Sequence, residues 1–218
     1  MPRGNPSDGG LTTRERVLQE AASQFIDHGF TRTPLSWISA RLGVTKAALY
    51  YHFESKDELL IALVSPLLDR VDQLLEDMEK RPNGEHDKRL LLERYADILA
   101  QDRRAAAILG RDLNVSSHPA IAPRIENHVR RLMDLLTGSV PDPEELVRVS
   151  SAMTIIQRGL VGRASEQKTV GALSRDEHRR ILVRLAFGIL EQRFADGTAP
   201  ADPPSPVPRL VSRPGRVS

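Results

Sequence analysis

From His28 to Phe53 the chain carries no Asp or Glu, yet the same stretch holds Arg32, Arg41 and Lys46 with the imidazoles of His28 and His52. The chemistry open to such a set is the binding of a polyanion. A surface that meets phosphates must exclude carboxylates, which repel the duplex, and supply cations that displace its counterions. Other chemistries lack their residues. There is no Cys, which excludes disulfides, thiolate metal sites and cysteine nucleophiles. His86, His118, His128 and His178 are scattered without metal-ligand spacing, and Asp142, Glu144 and Glu145 are explained as acids at a helix start, where the helix dipole favours them. No G-x-S-x-G, phosphate-binding loop, H-E-x-x-H or Gly-rich dinucleotide turn occurs. No catalytic residue, metal site or cofactor is therefore expected, and the chain is not expected to be an enzyme.

Helices must hold the acid-free stretch. Leu35, Ile38 and Leu42, with the small Ser39, recur at i, i+3, i+4 and i+7, one face of a short helix. Thr33 is the expected N-cap, and Pro34 suits the first helical position because its missing N–H has no partner there. Gly43 follows, where a helix can end in the left-handed conformation. Thr45 is a second N-cap and opens a second short helix with Leu49 facing inward. Two helices joined by so tight a turn cross steeply, which lets the second project into a major groove. The spacing predicts a helix-turn-helix over residues 34–53.

The rest of the chain is consistent with a soluble helical protein. Its 218 residues suffice for one large domain or two small ones. Net charge is only +2, so the basic character is local. No run of about 20 apolar residues predicts a membrane span. The opening MPRGNPSDGG lacks the apolar segment of a secretory signal, and with no Cys the expected location is a reducing cytoplasm. Thr12 and Glu15 match a capping box that opens a helix over 12–28, with Val17, Leu18, Ala21, Ala22 and Phe25 as its buried stripe. Ser55 and Glu58 open a long helix that ends by Pro82–Gly84, and Pro66 inside it should kink it or remove a hydrogen bond. Further helices are predicted at about 87–100, 102–113, 119–137, 143–163 and 174–194. No segment alternates like a strand, so the fold class is all-α. Residues 1–10 and 196–218 are expected to be disordered tails.

The run T-P-L-x-x-I-x-x-x-L-G-V-T-K-A-A-L-Y-Y-H-F, followed by S-K-D-E-L-L, resembles the tetracycline-repressor (TetR) family of bacterial transcription regulators. The likeness covers roughly residues 11–71. Ser39 departs from the usual Ala but keeps a small side chain. The resemblance implies an N-terminal three-helix helix-turn-helix domain over 11–71 that binds double-stranded operator DNA. It implies a helical ligand-binding and dimerisation domain over 72–195. Position by position, it implies that Thr45 and Thr33 meet phosphates, and that Lys46 neutralises a phosphate or reaches a guanine edge. Ala47 and Ala48 would allow close approach with methyl contact to thymine. Tyr50 and His52 would bond phosphates, Tyr51 would touch a base or the backbone, and Lys56 would take another phosphate. One of the two tyrosines could instead pack on the first helix. Trp37, the only Trp, lies off the buried stripe, and its role is open.

In the second half, the resemblance implies a pocket for an unidentified small-molecule effector and a homodimer. The candidate wall is Leu67, Met78, Tyr95, Leu99, Leu109 and Met133, with Asn114, His118 and His128 as polar handles. At 4% aromatic residues a large aromatic cage for flat cations is not expected, so an aliphatic or amphipathic effector is preferred. The last two long helices would pair with their copies. Ala152, Ile156, Gly159, Leu182, Ala186 and Ile189 are the candidate interface residues, and the small Gly162 and Gly188 also suit close approach. Dimerisation has its own physical reason, because one short recognition helix reads few base pairs. The expected function is a homodimeric repressor released by its effector. The alternative is a regulator of the same fold without a small ligand, protein-partnered or activating.

Overall fold

The computed structural model describes residues 11–81, 84–137, 140–161 and 173–192. Every regular element among the described residues is a helix: α1 (Thr13–His28), α2 (Leu35–Leu42), α3 (Lys46–His52), α4 (Lys56–Glu79), α5 (Glu85–Gln101), α6 (Arg103–Arg111), α7 (Leu113–Ser116), α8 (Ala122–Leu136), α9 (Pro143–Val161) and α10 (Arg175–Glu191). The expected tails at 1–10 and 196–218 lie outside the described residues, as does Gly162.

The helix starts follow their caps. Thr12 Oγ1 accepts from Glu15 N while the Glu15 carboxylate accepts from Thr12 N, and Ser174 and Glu177 repeat the arrangement at α10. Ser55 Oγ accepts from Glu58 N, but the Glu58 carboxylate accepts from Glu54 N, one residue before the N-cap, so the box is not closed. Gly43, at φ 66°, ends α2 in the left-handed region and leaves the sharp turn to α3. Phe25, Phe30, Ile38, Leu49 and Phe53 are buried together, with Leu42 half-buried beside them.

Thr33 is not the cap of α2. Pro34 occupies that position without a side-chain cap bond. Thr33 is fully buried, and its hydroxyl donates to the carbonyls of Gly29, at 2.9 Å, and Gln24, at 3.3 Å. Its backbone N–H is also used, by the Phe30 carbonyl. It ties the loop after α1 to α1 itself.

α4 runs unbroken through Pro66, which lies exposed on its outer side, and buries Leu59, Leu60, Val64, Leu67, Leu68, Val71, Leu74, Leu75 and Met78 on the other. Such a continuous stripe outweighs the single hydrogen bond that Pro66 removes. It packs on α1, α5, α6 and α8, so one rod touches both ends of the molecule. α6 packs on α1 as well as on α4 and α9.

α9 and α10 form the most extensive helix pair. A Cβ on Gly159 would sit 2.4 Å from a Leu182 methyl, so only glycine lets the two axes approach so closely. Ala152, Ile156, Leu182 and Ala186 are buried within the protomer. These residues, expected to meet a second copy, are instead used inside the protomer. Ile189 is half-buried at its edge.

Candidate nucleic-acid interface and interior cavity

α3 buries Leu49 and, just past its end, Phe53, so its other faces turn outward. Thr45 Oγ1 accepts from Ala48 N at 3.1 Å. That cap uses a lone pair and leaves the hydroxyl hydrogen for an external acceptor. Lys46, Ala47, Tyr50 and Tyr51 are exposed, and Ala48 and His52 are half-buried at the margins. The Lys46 ammonium lies 5.6 Å from the Tyr50 ring centre, and the Tyr51 ring, 87% exposed, meets His52 edge-on. Tyr50 keeps 42% of its surface exposed. Trp37 is 51% exposed on α2 with its ring edge-to-face with His28. Arg41 is a surface residue 3.9 Å from Glu20, and Arg32 Nε donates to the His28 carbonyl.

Lys56 departs from its expected role. Its ammonium donates to the Phe30 carbonyl at 2.9 Å and the Thr31 carbonyl at 3.3 Å, over the Phe30 ring. Burial lowers its pKa, against the pull of Asp57 and Asp112. A lysine so engaged is a strut between the start of α4 and the loop after α1, and it holds no phosphate in this position.

The same loop is gripped from the other side. Phe30 N donates to Asp112 Oδ2 at 2.7 Å, while Asp112 Oδ1 caps α7 through Asn114 N. His118 stacks edge-on against Phe30, with its Nε2 3.5 Å from the Asp57 carboxylate. Asn114 and His118, expected as pocket handles, therefore belong to this joint. Asn114 is exposed and folded back on Asp112, and His118 is turned toward Phe30.

A cavity of about 460 Å³ lies among α4, α5, α6, α8 and α9. Of the candidate wall and handle residues, Leu67, Tyr95, Leu99, Leu109 and His128 line it. Met78 and Met133 do not. Met78 is fully buried near the far end of α4, and Met133 packs against the core one residue beyond the cavity-lining Leu132. Sequence reading missed Arg111, Gln157, Arg158 and Val161, all at the cavity. It gave α9 wholly to dimerisation, whereas one side of that helix faces inward. Gln157 Nε2 donates to the Tyr95 hydroxyl at 2.9 Å, and Arg111 donates to the Val161 carbonyl.

His128, on the cavity wall, is anchored from behind by Asp72 at 2.6 Å. Arg124 bridges Asp72 and Asp69, and Arg131 bonds Glu79. Burial pushes the His128 pKa down further than Asp72 raises it. For Asp72, burial alone would raise the carboxyl, but hydrogen bonds from Arg124 and His128 and their charges bring it below the usual range. The imidazole is therefore neutral near pH 7, with its Nε2–H donated to the carboxylate. Among the described residues no group of three or more His, Cys, Asp or Glu could hold a metal ion, and no helix is long and apolar enough to cross a membrane.

Known proteins agree with this architecture. The family model of the bacterial regulatory proteins, tetR family, matches residues 17–63, which run from α1 into α4. A probable HTH-type transcriptional regulator, ArpR of Pseudomonas putida, is 29% identical over 69% of this chain and 79% of its own. A probable acrEF/envCD operon repressor of Escherichia coli (strain K12) is 41% identical over 22% of each chain. The fold matches that of Mycobacterium smegmatis AmtR with a TM-score of 0.65 at 21% identity, covering 88% of this chain and 92% of that one. The first two of these relatives are named as a transcriptional regulator and an operon repressor. With the match falling on the helices that expose Lys46, Ala47, Tyr50 and Tyr51, residues 17–63 carry the DNA-binding segment of the bacterial regulatory proteins, tetR family, and the chain as a whole is similar to transcriptional regulators of that family.

Proposed function

We propose that this regulator is a homodimeric repressor that leaves its operator when a small molecule fills the interior cavity. Residues 11–71 form the DNA-binding part and 72–195 the effector and dimer part, with α4 common to both. The observation that carries the reading is the course of α6. Its last turn, Leu109 to Arg111, lines the cavity, and the next residue, Asp112, holds the Phe30 N–H. A ligand that displaces α6 acts directly on the loop that carries α2 and α3. The exposed set Thr45, Lys46, Ala47, Tyr50 and Tyr51, with Ala48 and His52 at its margins, supports the assignment of α3 to the major groove. Phosphate contact is assigned to Thr45, Lys46, Tyr50 and His52, and base contact to Ala47, Ala48 and Tyr51. Thr33 and Lys56 are withdrawn from the contact set. The description of the E. coli relative as an operon repressor supports repression over activation.

The dimer face is reassigned to the outer side of the last two helices. Val147 is 63% exposed and Leu185 52% exposed, and Ile181, Gly188 and Ile189 lie on the same side of α10 as Leu185. A two-fold pair through this face doubles the contacts of one short α3. The test is a gel-shift with a salt series on DNA upstream of the chain's own and neighbouring genes, with mass by light scattering. A dimer that shifts one palindromic site is expected. A monomer, or shifts of equal strength on unrelated DNA, would defeat the reading.

A further inference from the structure

The cavity carries a chemical bias of its own. Its basic lining residues are Arg111, Arg158 and His128, and no Asp or Glu is among them. The remainder is mostly aliphatic, with Tyr95 the single aromatic ring. A volume of about 460 Å³ lies within the range of roughly 300–1,000 Å³ that small-ligand sites occupy. The three basic groups are not equivalent. Arg111 is committed to the Val161 carbonyl, and His128 gives its proton to Asp72. Arg158 lies exposed at the rim and has no hydrogen-bond or ion-pair partner among the described residues. Tyr95 accepts from Gln157, so its own O–H is left to donate, and burial keeps that hydroxyl protonated.

We propose that the cavity binds an amphipathic monocarboxylate, with an aliphatic chain among the leucines and valines and its carboxylate on the Arg158 guanidinium. This rests on the reading of the cavity as the effector site. Each alternative head group meets an obstacle. A cationic head would lie beside two guanidiniums with no carboxylate in the lining to offset it. The nearest acid behind the wall, Asp72, is already held by His128 and Arg124. A neutral head would leave Arg158 unmatched, whereas a carboxylate fits the guanidinium fork through two parallel hydrogen bonds. A flat polycyclic body would find one ring to stack on, while a flexible chain fits a wall of Leu67, Leu68, Val71, Leu99 and Leu132.

The experiment uses the full chain and the neutral fluorophore N-phenyl-1-naphthylamine, whose emission reports entry into an apolar cavity. It is displaced by decanoate, 1-decanol or decyltrimethylammonium, all below their micelle concentrations. Saturable fluorophore binding, blocked in Leu109→Trp, is expected, with decanoate displacing it at concentrations about tenfold or more below those of the other two. In Arg158→Gln the fluorophore should bind as in the native chain while decanoate weakens by about tenfold. Displacement by decanol or the ammonium at equal or lower concentration overturns the proposal, as does unchanged decanoate binding in Arg158→Gln. Those outcomes leave the cavity standing as a ligand site. Failure of the fluorophore itself to bind would remove the effector reading and this proposal together.

Discussion

Lys46 lies over the Tyr50 ring on the outer side of α3, while Thr33, in the same acid-free stretch, is sealed inside. The two make a paired test of which residues meet DNA. Lys46→Ala should weaken binding on any sequence and reduce the slope of log affinity against log salt by about 1, the share of one phosphate contact. Thr33→Val removes a buried hydroxyl bonded to two carbonyls, so it should lower stability by about 1 kcal/mol and leave the salt slope alone. A changed slope in Thr33→Val would return that residue to the interface. His128 makes a prediction about pH. Its folded-state pKa lies below that of a free imidazole, about 6.5, so on acidification the unfolded chain takes up the proton first. Stability should therefore decline as pH falls through about 6.5, and keep declining until the folded imidazole is also protonated. Asp72, held below the usual carboxylate range, loses its contribution only at more acidic pH. His128→Gln should flatten the curve of Tm against pH between about 7 and 5. An unchanged curve would mean that the imidazole titrates alike in both states.

Glycines separate the two sides of the last helix pair. Gly159 faces Leu182 with no room for a methyl group, whereas a Cβ on Gly188 would meet nothing within 4 Å. Gly159→Ala should push α9 and α10 apart and destabilise the chain by about 1–3 kcal/mol in chemical denaturation. Gly188→Ala should be neutral or stabilising by up to about 1 kcal/mol in the monomer, because alanine favours the helix. Equal losses from both would contradict this packing. The same pair marks how far the sequence could be read. Helix bounds followed from caps and apolar periodicity, which are local signals: Thr12, Gly43, Ser55 and Ser174 each sit at the boundary they announce. The outward set on α3 was equally legible, because Leu49 and Phe53 fix which side turns in. The partner of a helix face is a property of the assembled core. Small residues at Ala152 and Ala186 signalled close approach, but could not say whether the neighbouring helix belonged to the same chain or to a second copy. Thr33 and Lys56 failed for a related reason. A hydroxyl and an ammonium match a phosphate and a backbone carbonyl alike, and the loop after α1 had carbonyls to offer.

At the scale of the whole molecule, the DNA-binding helices are fastened to the cavity by two routes. α4 runs from Lys56, under the loop after α1, to the leucines of the cavity wall. α6 runs from the cavity to Asp112, whose carboxylate holds Phe30 N. The second route is short and can be cut with one substitution, because the remaining Asp112 oxygen only caps the brief α7. Asp112→Ala removes the Phe30 bond together with those from the Asn114 backbone and side chain, whereas Asp112→Asn keeps one oxygen acceptor. If α6 transmits the signal, operator DNA and a cavity ligand influence each other by the same factor, whichever binds first. The measurement is the affinity of N-phenyl-1-naphthylamine with and without a saturating operator duplex. In the native chain the duplex should weaken the fluorophore several-fold, within the range of about 5–150-fold usual for such coupling. In Asp112→Ala that factor should fall toward one while each ligand alone still binds, and Asp112→Asn should restore part of it. A factor unchanged in Asp112→Ala would transfer the coupling to α4. The strut from Lys56 to the Phe30 carbonyl would then be the next bond to cut.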